Sequence, residues 1–377
     1  MITIMISHLF LQSYWWIIVS LLASLLVFLM FVQGGQSLIF TLPGNDIQKT
    51  MLINTIGRKW DLTFTTLVTF GGAFFAAFPL FYATSFGGAY WVWIAILFSF
   101  ILQAVAYEFR SKPNNVFGQR TFDIFLLLNG TMGPFLIGTA VATFFTGSQF
   151  SLDDLNRVTW ANSWHGLEAV LDVRNLALGF SVLFLSRING LLYIINTIDD
   201  DDLKARSVRK LFLNAILFLV PFLFFVISIL LSKGFAADPE TGIISLVKYK
   251  YLHNLIQMPV VLLIFLAGVI GVLYGIGSTL FKHSTKGVWF TSPGTVLAVF
   301  AVFMLAGFNG TSFYPSAYDL QSSLTIWNAS SSDFTLKTMM YVSLIVPFVF
   351  AYIWHAWKSI NREDITSEEM DSGEHKY

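Results

Sequence analysis

Residues 60–79 read Trp60-Asp61-Leu62-Thr63-Phe64-Thr65-Thr66-Leu67-Val68-Thr69-Phe70-Gly71-Gly72-Ala73-Phe74-Phe75-Ala76-Ala77-Phe78-Pro79. A single acid, Asp61, follows the basic pair Arg58 and Lys59, and no other charge appears before Tyr82. At helical rise, a stretch of this length crosses a bilayer core. Asp61 falls in the first turn, where the helix dipole favours negative charge. Gly72/Ala76 and Ala73/Ala77 recur at four-residue spacing, and side chains that small let a second backbone come close in lipid. The stretch predicts a tightly packed membrane helix with one carboxylate at its mouth.

The rest of the chain agrees with a lipid solvent. Of 377 residues, 55% are hydrophobic and 12% charged, against about 25% charged in soluble chains. Nine apolar segments of bilayer length stand out: 11–32, 62–83, 88–107, 122–145, 175–195, 211–232, 258–281, 288–308 and 338–357. The fifth is interrupted by Arg187. The link 84–87 is short enough to make segments two and three antiparallel neighbours. The link before segment nine is long and rich in Ser, Thr and Asn, which predicts a solvent-side loop. Zero net charge argues against a nucleic-acid partner. Absent cysteine excludes thiolate-held iron–sulfur clusters, c-type haem attachment, thiol catalysis and disulfides. The start lacks a basic n-region, so the first segment is expected to be a retained helix, not a signal peptide.

Lys and Arg set the orientation. With the N-terminus outside, fifteen fall on inner loops or the tail. Five (Arg157, Lys233, Lys248, Lys250 and Lys337) fall on outer loops. That bias predicts N-out and C-in, with Asp61 and Glu108 at the cytoplasmic surface. Ile53-Asn54-Thr55-Ile56 before segment two is echoed by Ile195-Asn196-Thr197-Ile198 before segment six. The echo suggests repeats over about 1–150 and 170–310 inside one transmembrane domain, 1–360. The polar tail 361–377, with six acids, is expected to be disordered and cytoplasmic.

Each candidate for chemistry has a plainer reading beside it. Asp61 reads as a proton-accepting carboxylate at a buried path, or as a helix cap. The hydroxyls of Thr63, Thr65 and Thr66 can carry a water file beyond it. Glu108, Arg110 and Asp123 either extend a polar entrance around Asp61, or Glu108 or Asp123 forms an interfacial ion pair with Arg110 or Lys112 at the helix boundary. Arg187, halfway along segment five beside Asn189, marks a path or a structural link to a carbonyl or acid on a neighbour. The run from Asp199 to Asp202 looks metal-binding but suits a solvated helix start. His8, His165, His253, His283, His355 and His375 all lie away from the centres of apolar segments, and Met132 and Met304 read as packing residues. No haem is therefore expected in this chain.

Three blocks carry a resemblance. Gly71 to Pro79 with Trp60-Asp61 ahead of it, Tyr107-Glu108-Phe109-Arg110-Ser111-Lys112, and Ser323 to Ser332 occur in the order found in subunit II of cytochrome bd quinol oxidases. The chain resembles that family over nearly its whole length. The resemblance implies an all-α integral membrane protein with two four-helix bundles plus one peripheral helix. It also implies quinol oxidation coupled to reduction of dioxygen to water in a bacterial inner membrane. Haems b and d and the quinol site would belong to a partner, subunit I, and a structural quinone in this chain stays open. By the family's pattern Asp61, in the matching pair Trp60-Asp61, lines a proton route toward those haems, and Glu108 and Arg110 match its third-helix motif. Thr65 is a candidate for that route through its hydroxyl alone, since residues 62–66 depart from the family's pattern.

The chain also departs from the pattern. Where many members carry Asp-Gly-x-Asp-x-Gly, this sequence has Gln33-Gly34-Gly35-Gln36. Amides hydrogen-bond but do not titrate, so Asp61 is left as the clear titratable group on this side, unless the route lies wholly in subunit I. A secondary transporter and a purely structural membrane subunit are the rival readings. The first needs paired broken helices and a mid-membrane polar site. The second differs only at Asp61, Glu108 and Arg110.

Overall fold

Helix ends in this chain are set by short polar caps and by proline, and the apolar runs fill the spaces between them. The computed structural model describes residues 7–113 and 115–360, so the tail at 361–377 lies outside the described residues. Ser7 caps α1 (His8–Leu29) by accepting from Phe10 N at 3.2 Å. After a one-residue offset α2 (Phe31–Gln36) continues the same span. Asn45 caps α3 (Asp46–Gly57), whose second half is buried. Next come α4 (Trp60–Ala77) and the three-residue α5 (Pro79–Phe81).

Segment two is shorter than its apolar run. Pro79 has no N–H to continue the helix. The backbone breaks at Phe78, and a π-helical turn, Tyr82–Gly87, follows α5. The two parts are bent by 117°. The expected four-residue link is therefore the end of a folded corner.

The chain then runs through α6 (Tyr90–Phe109) and α7 (Gln119–Thr146), followed by a small hairpin of β1 (Phe150–Leu152) and β2 (Val158–Trp160), which pairs Phe150 with Trp160. Asp172 caps α8 (Val173–Thr197), and Asp200 caps α9 (Asp201–Leu231). A second hairpin joins β3 (Lys233–Ala237) to β4 (Ile244–Lys248). The order closes with α10 (Lys250–Gln257), α11 (Pro259–Lys282), α12 (Val288–Gly307), α13 (Asp333–Ser343) and α14 (Val346–Ile360).

Among the described residues eight helices are long and apolar enough to span a membrane, and the bent pair makes nine. Spans α1/α2, α4, α6 and α7 form one set of four, and α8, α9, α11 and α12 the other. They join where α8 meets α2 and α7 and where α1 meets α12. The α13–α14 span is peripheral and almost uncovered. One end of the molecule gathers α3, the end of α6 at Arg110, the start of α7 at Asp123 and the connections at 198–200 and 283–287. The opposite end holds both hairpins, and there His8 Nδ1 lies 3.9 Å from Asp333 Oδ1.

Two expectations change on contact with the fold. The link at 308–332 is a packed lid, not a solvent loop. Phe313, Tyr314, Leu324 and Ile326 are buried in it. Tyr314 and Leu324 exchange backbone hydrogen bonds, Ser148 N donates to Pro315 O, and Ser331 N donates to Ala77 O. Phe313 closes an aromatic core with Trp16 at 4.6 Å and Phe81 at 5.5 Å. Close backbone packing also lies elsewhere than predicted. Nothing approaches Gly72, which is exposed. The tight seam runs between α2 and α8. A Cβ on Gly34 would sit 1.9 Å from Ser186 O, and one on Gly190 would sit 2.7 Å from Gly35 N. The two Ile-Asn-Thr-Ile copies fall in different settings, one within α3 and one across the end of α8.

Candidate functional site

Along α4 the residues Asp61, Thr65, Val68, Thr69, Gly72 and Phe75 are all exposed, and their three- and four-residue spacing puts them on one face. The N-cap of α4 is Lys59, without a side-chain bond, so Asp61 does not cap the helix. Thr65 Oγ1 donates to Asp61 Oδ1 at 3.4 Å. The expected hydroxyl file is absent, because the threonines point apart. Thr63 Oγ1 turns inward and donates to Leu29 O at 2.9 Å, and Thr66 Oγ1 donates to Leu62 O at 2.7 Å. Trp60 stacks on Tyr107 of α6, with ring centroids 5.8 Å apart and planes 17° apart. The outward face of α6, with Trp91, Ile94, Phe98 and Ile101, is uncovered too.

The charges at the end of α6 separate into two pairs. Glu108 is exposed and meets Lys112 at 3.2 Å. Arg110 turns inward, and its Nε donates to Asp123 Oδ1 at 2.7 Å. Asp123 also takes Lys49 of α3, so one buried carboxylate ties α3, α6 and α7 together. Arg110 thus belongs to this interior lock. The run 199–202 also stays structural: Asp200 caps α9 and accepts from Gln48, and Asp199 pairs with Lys204 at 2.9 Å. No group of three or more His, Asp or Glu side chains suited to a metal occurs among the described residues.

Deeper between α2, α6 and α7 lies a cluster of buried neutral polar side chains. Gln33 Nε2 donates to Gln103 Oε1 at 2.6 Å and to Asn129 Oδ1 at 3.1 Å. Gln36 Nε2 donates to the same Gln103 oxygen at 2.8 Å and to Tyr107 Oη at 3.1 Å. Asn129 Nδ2 reaches Ser99 Oγ at 3.3 Å. Every member is at most 2% exposed. Gln103 and Asn129 were not singled out from the sequence. Their signal was a carboxamide inside an apolar span at a register that faces the core.

Two cationic side chains with a buried nitrogen have no salt-bridge partner among the described residues. Arg187 Nε is buried without a hydrogen-bond partner, and the guanidinium rests over the Phe184 ring at 5.8 Å. The predicted link to a carbonyl or acid is not found among the described residues. Arg187 stands about halfway along α8 (Val173–Thr197), ten residues before its end. Lys59 Nζ is buried without a hydrogen bond, 4.9 Å from the centre of the Trp357 ring.

Between the two four-span sets runs an apolar cavity, lined by Leu67, Phe70, Val182, Phe222, Val272 and Val299 among others. It reaches Trp160 and Tyr314 at the hairpin end. Trp160 Nε1 and Glu168 Oε1 at that end are buried and unpartnered. Burial pushes the Tyr314 hydroxyl up to about 12.

A family model described as cytochrome bd terminal oxidase subunit II matches residues 11–360. Cytochrome bd-I ubiquinol oxidase subunit 2 of Escherichia coli K12 is 28% identical, covering 98% of this chain and 99% of its own. Cytochrome bd ubiquinol oxidase subunit 2 of Bacillus subtilis 168 is also 28% identical, covering 91% and 94%. Among solved structures, the bd oxidase from Geobacillus thermodenitrificans superposes with a TM-score of 0.61 at 11% identity, over 93% of this chain and 98% of that one, a likeness of fold.

Proposed function

The chain belongs to the cytochrome bd terminal oxidase subunit II family, and we propose that it is the haem-free membrane subunit of a quinol oxidase, docking the bare faces of α4 and α6 on a haem-bearing subunit I. The observation that carries this reading is the α4 face. A carboxylate and two hydroxyls on a membrane helix are costly against lipid, and Gly72 beside them leaves room for a second helix. A protein partner removes that cost. Quinol would be met only through the partner.

The 15-to-5 basic bias supports placing the α3 end in the cytoplasm. Asp61 then opens to the cytoplasmic side of the subunit contact, with Thr65 bonded to it. Of the residues considered for proton delivery, Asp61 remains free to act. Arg110 is engaged by Asp123 and Glu108 by Lys112. The apolar cavity, with the unpartnered donor Trp160 Nε1 at one end, suits a structural quinone, a ring carbonyl at that donor and the isoprenoid tail along the apolar wall.

Asp61→Asn in the assembled oxidase tests the proton role. It keeps shape and the Thr65 bond but cannot titrate, so quinol-driven oxygen consumption should fall at least about tenfold with haem content unchanged. Wild-type turnover would leave this subunit a purely structural role. A single cysteine at Gly72 or Val68, in a chain with none of its own, labelled with a maleimide-linked photo-cross-linker, should cross-link to subunit I on illumination.

A further inference from the structure

The amide cluster leaves three of its own polar atoms without a partner: Gln33 Oε1, Gln36 Oε1 and Gln103 Nε2. The three side chains are fully buried. An orphaned buried donor or acceptor forfeits about 1–3 kcal/mol, so three in one cluster call for an occupant. The three carboxamides meet at Gln103 Oε1. Their orphan atoms are therefore close neighbours, two acceptors and one donor.

That set selects its ligand. A cation would suit the two oxygens but face the N–H of Gln103. An anion would suit the N–H but face two oxygens. A water molecule donates twice and accepts, and buried waters typically make about three hydrogen bonds. Reversing all four amides gives the same answer. Gln103 Nε2 would then donate to both Gln33 and Gln36, Asn129 Nδ2 to Gln33, and Tyr107 to Gln36. The orphans become two donors and one acceptor, which water again satisfies by exchanging roles. We propose that Gln33, Gln36 and Gln103 form a specific interior water site in this chain, neutral at every physiological pH.

The site sits well inside the bundle. Ser99, the far end of the file, is eleven residues from Arg110 along α6, roughly 16 Å at helical rise. From Ser99 the hydrogen-bonded groups run through Asn129, Gln33, Gln103 and Gln36 to Tyr107. None of the amides titrates, so occupancy should not change with pH. The proposal does not depend on Asp61 carrying protons.

The test is a cryo-electron-microscopy map of the intact oxidase, at a resolution that shows ordered water, recorded at pH 6 and pH 9 and with rubidium replacing the buffer cation. The expected result is density at hydrogen-bond distance from at least two of the three orphan atoms, equal at both pH values and unchanged by rubidium. In the Gln103→Met complex that density should vanish. An empty cluster beside other visible buried waters overturns the proposal, as does density that strengthens with rubidium. Density that persists in Gln103→Met overturns the assignment of Gln103. If that variant does not assemble, the wild-type maps decide alone.

Discussion

Replacing Asp123 with leucine should be the most damaging single change at the α3 end. Asp123 and Arg110 side chains are 2% and 6% exposed, whereas Lys49 is 21% exposed. Once the carboxylate is gone, Lys49 can swing to water, and its share is that of an exposed pair, about 0–1 kcal/mol. Arg110 cannot, and stranding one partner of a buried pair costs about 3–5 kcal/mol. The expected loss is therefore about 3–5 kcal/mol, nearly all from Arg110. Denaturant titration of the purified complex in detergent, followed by tryptophan fluorescence, measures it. The double variant Asp123→Leu/Arg110→Leu should recover most of the loss, because an apolar pair of similar bulk often matches a buried ion pair. If the single variant stays within about 0.5 kcal/mol of wild type, or the double is no better than the single, the lock described here does not bear on stability.

Other outcomes follow from the same geometry. Gly34→Val should abolish assembly of the oxidase, measured as haem recovered in membranes, because its Cβ would collide with the Ser186 carbonyl. Lys59→Met should raise the denaturation midpoint of the complex, since it removes a buried cation that has no hydrogen-bond partner; a lower midpoint would reveal a missing acid. Tyr314 ionises at about 12 in the folded chain against 10.0 unfolded. Its stability contribution is thus intact below pH 10 and lost as pH rises toward 12. Tyr314→Phe should flatten that part of an alkaline unfolding curve.

Much of the architecture was legible because lipid imposes a simple length rule. Among the described residues eight of the nine apolar segments lie in helices long and apolar enough to span a membrane, and segment two lies in the bent pair. The Glu108–Lys112 and Asp123–Arg110 pairs were among the pairings the sequence offered. What escaped depends on contacts distant in sequence. Phe78 breaks α4 through backbone geometry that hydropathy does not register. The lid at 308–332 looks polar, yet its buried members are aromatic or aliphatic anchors between serines and threonines. Asp61 was read correctly as a first-turn acid, but which way it faces could not be read from one helix. The substitution of Gln33 and Gln36 for acids was visible. Their partners Gln103 and Asn129, some 67 to 96 residues away, were not.

The α2–α8 seam carries a consequence for genetics. Gly34 faces the backbone of Ser186, and Gly190 faces the backbone around Gly35. When a bulky side chain invades a packed interface, a second-site change that shrinks its neighbour ordinarily restores the fit. Here the neighbour is main chain, already as small as a peptide can be. A suppressor screen on Gly34 or Gly190 variants should therefore return only true revertants to glycine or changes that let the two helices separate along their length. Residues across the seam should yield none.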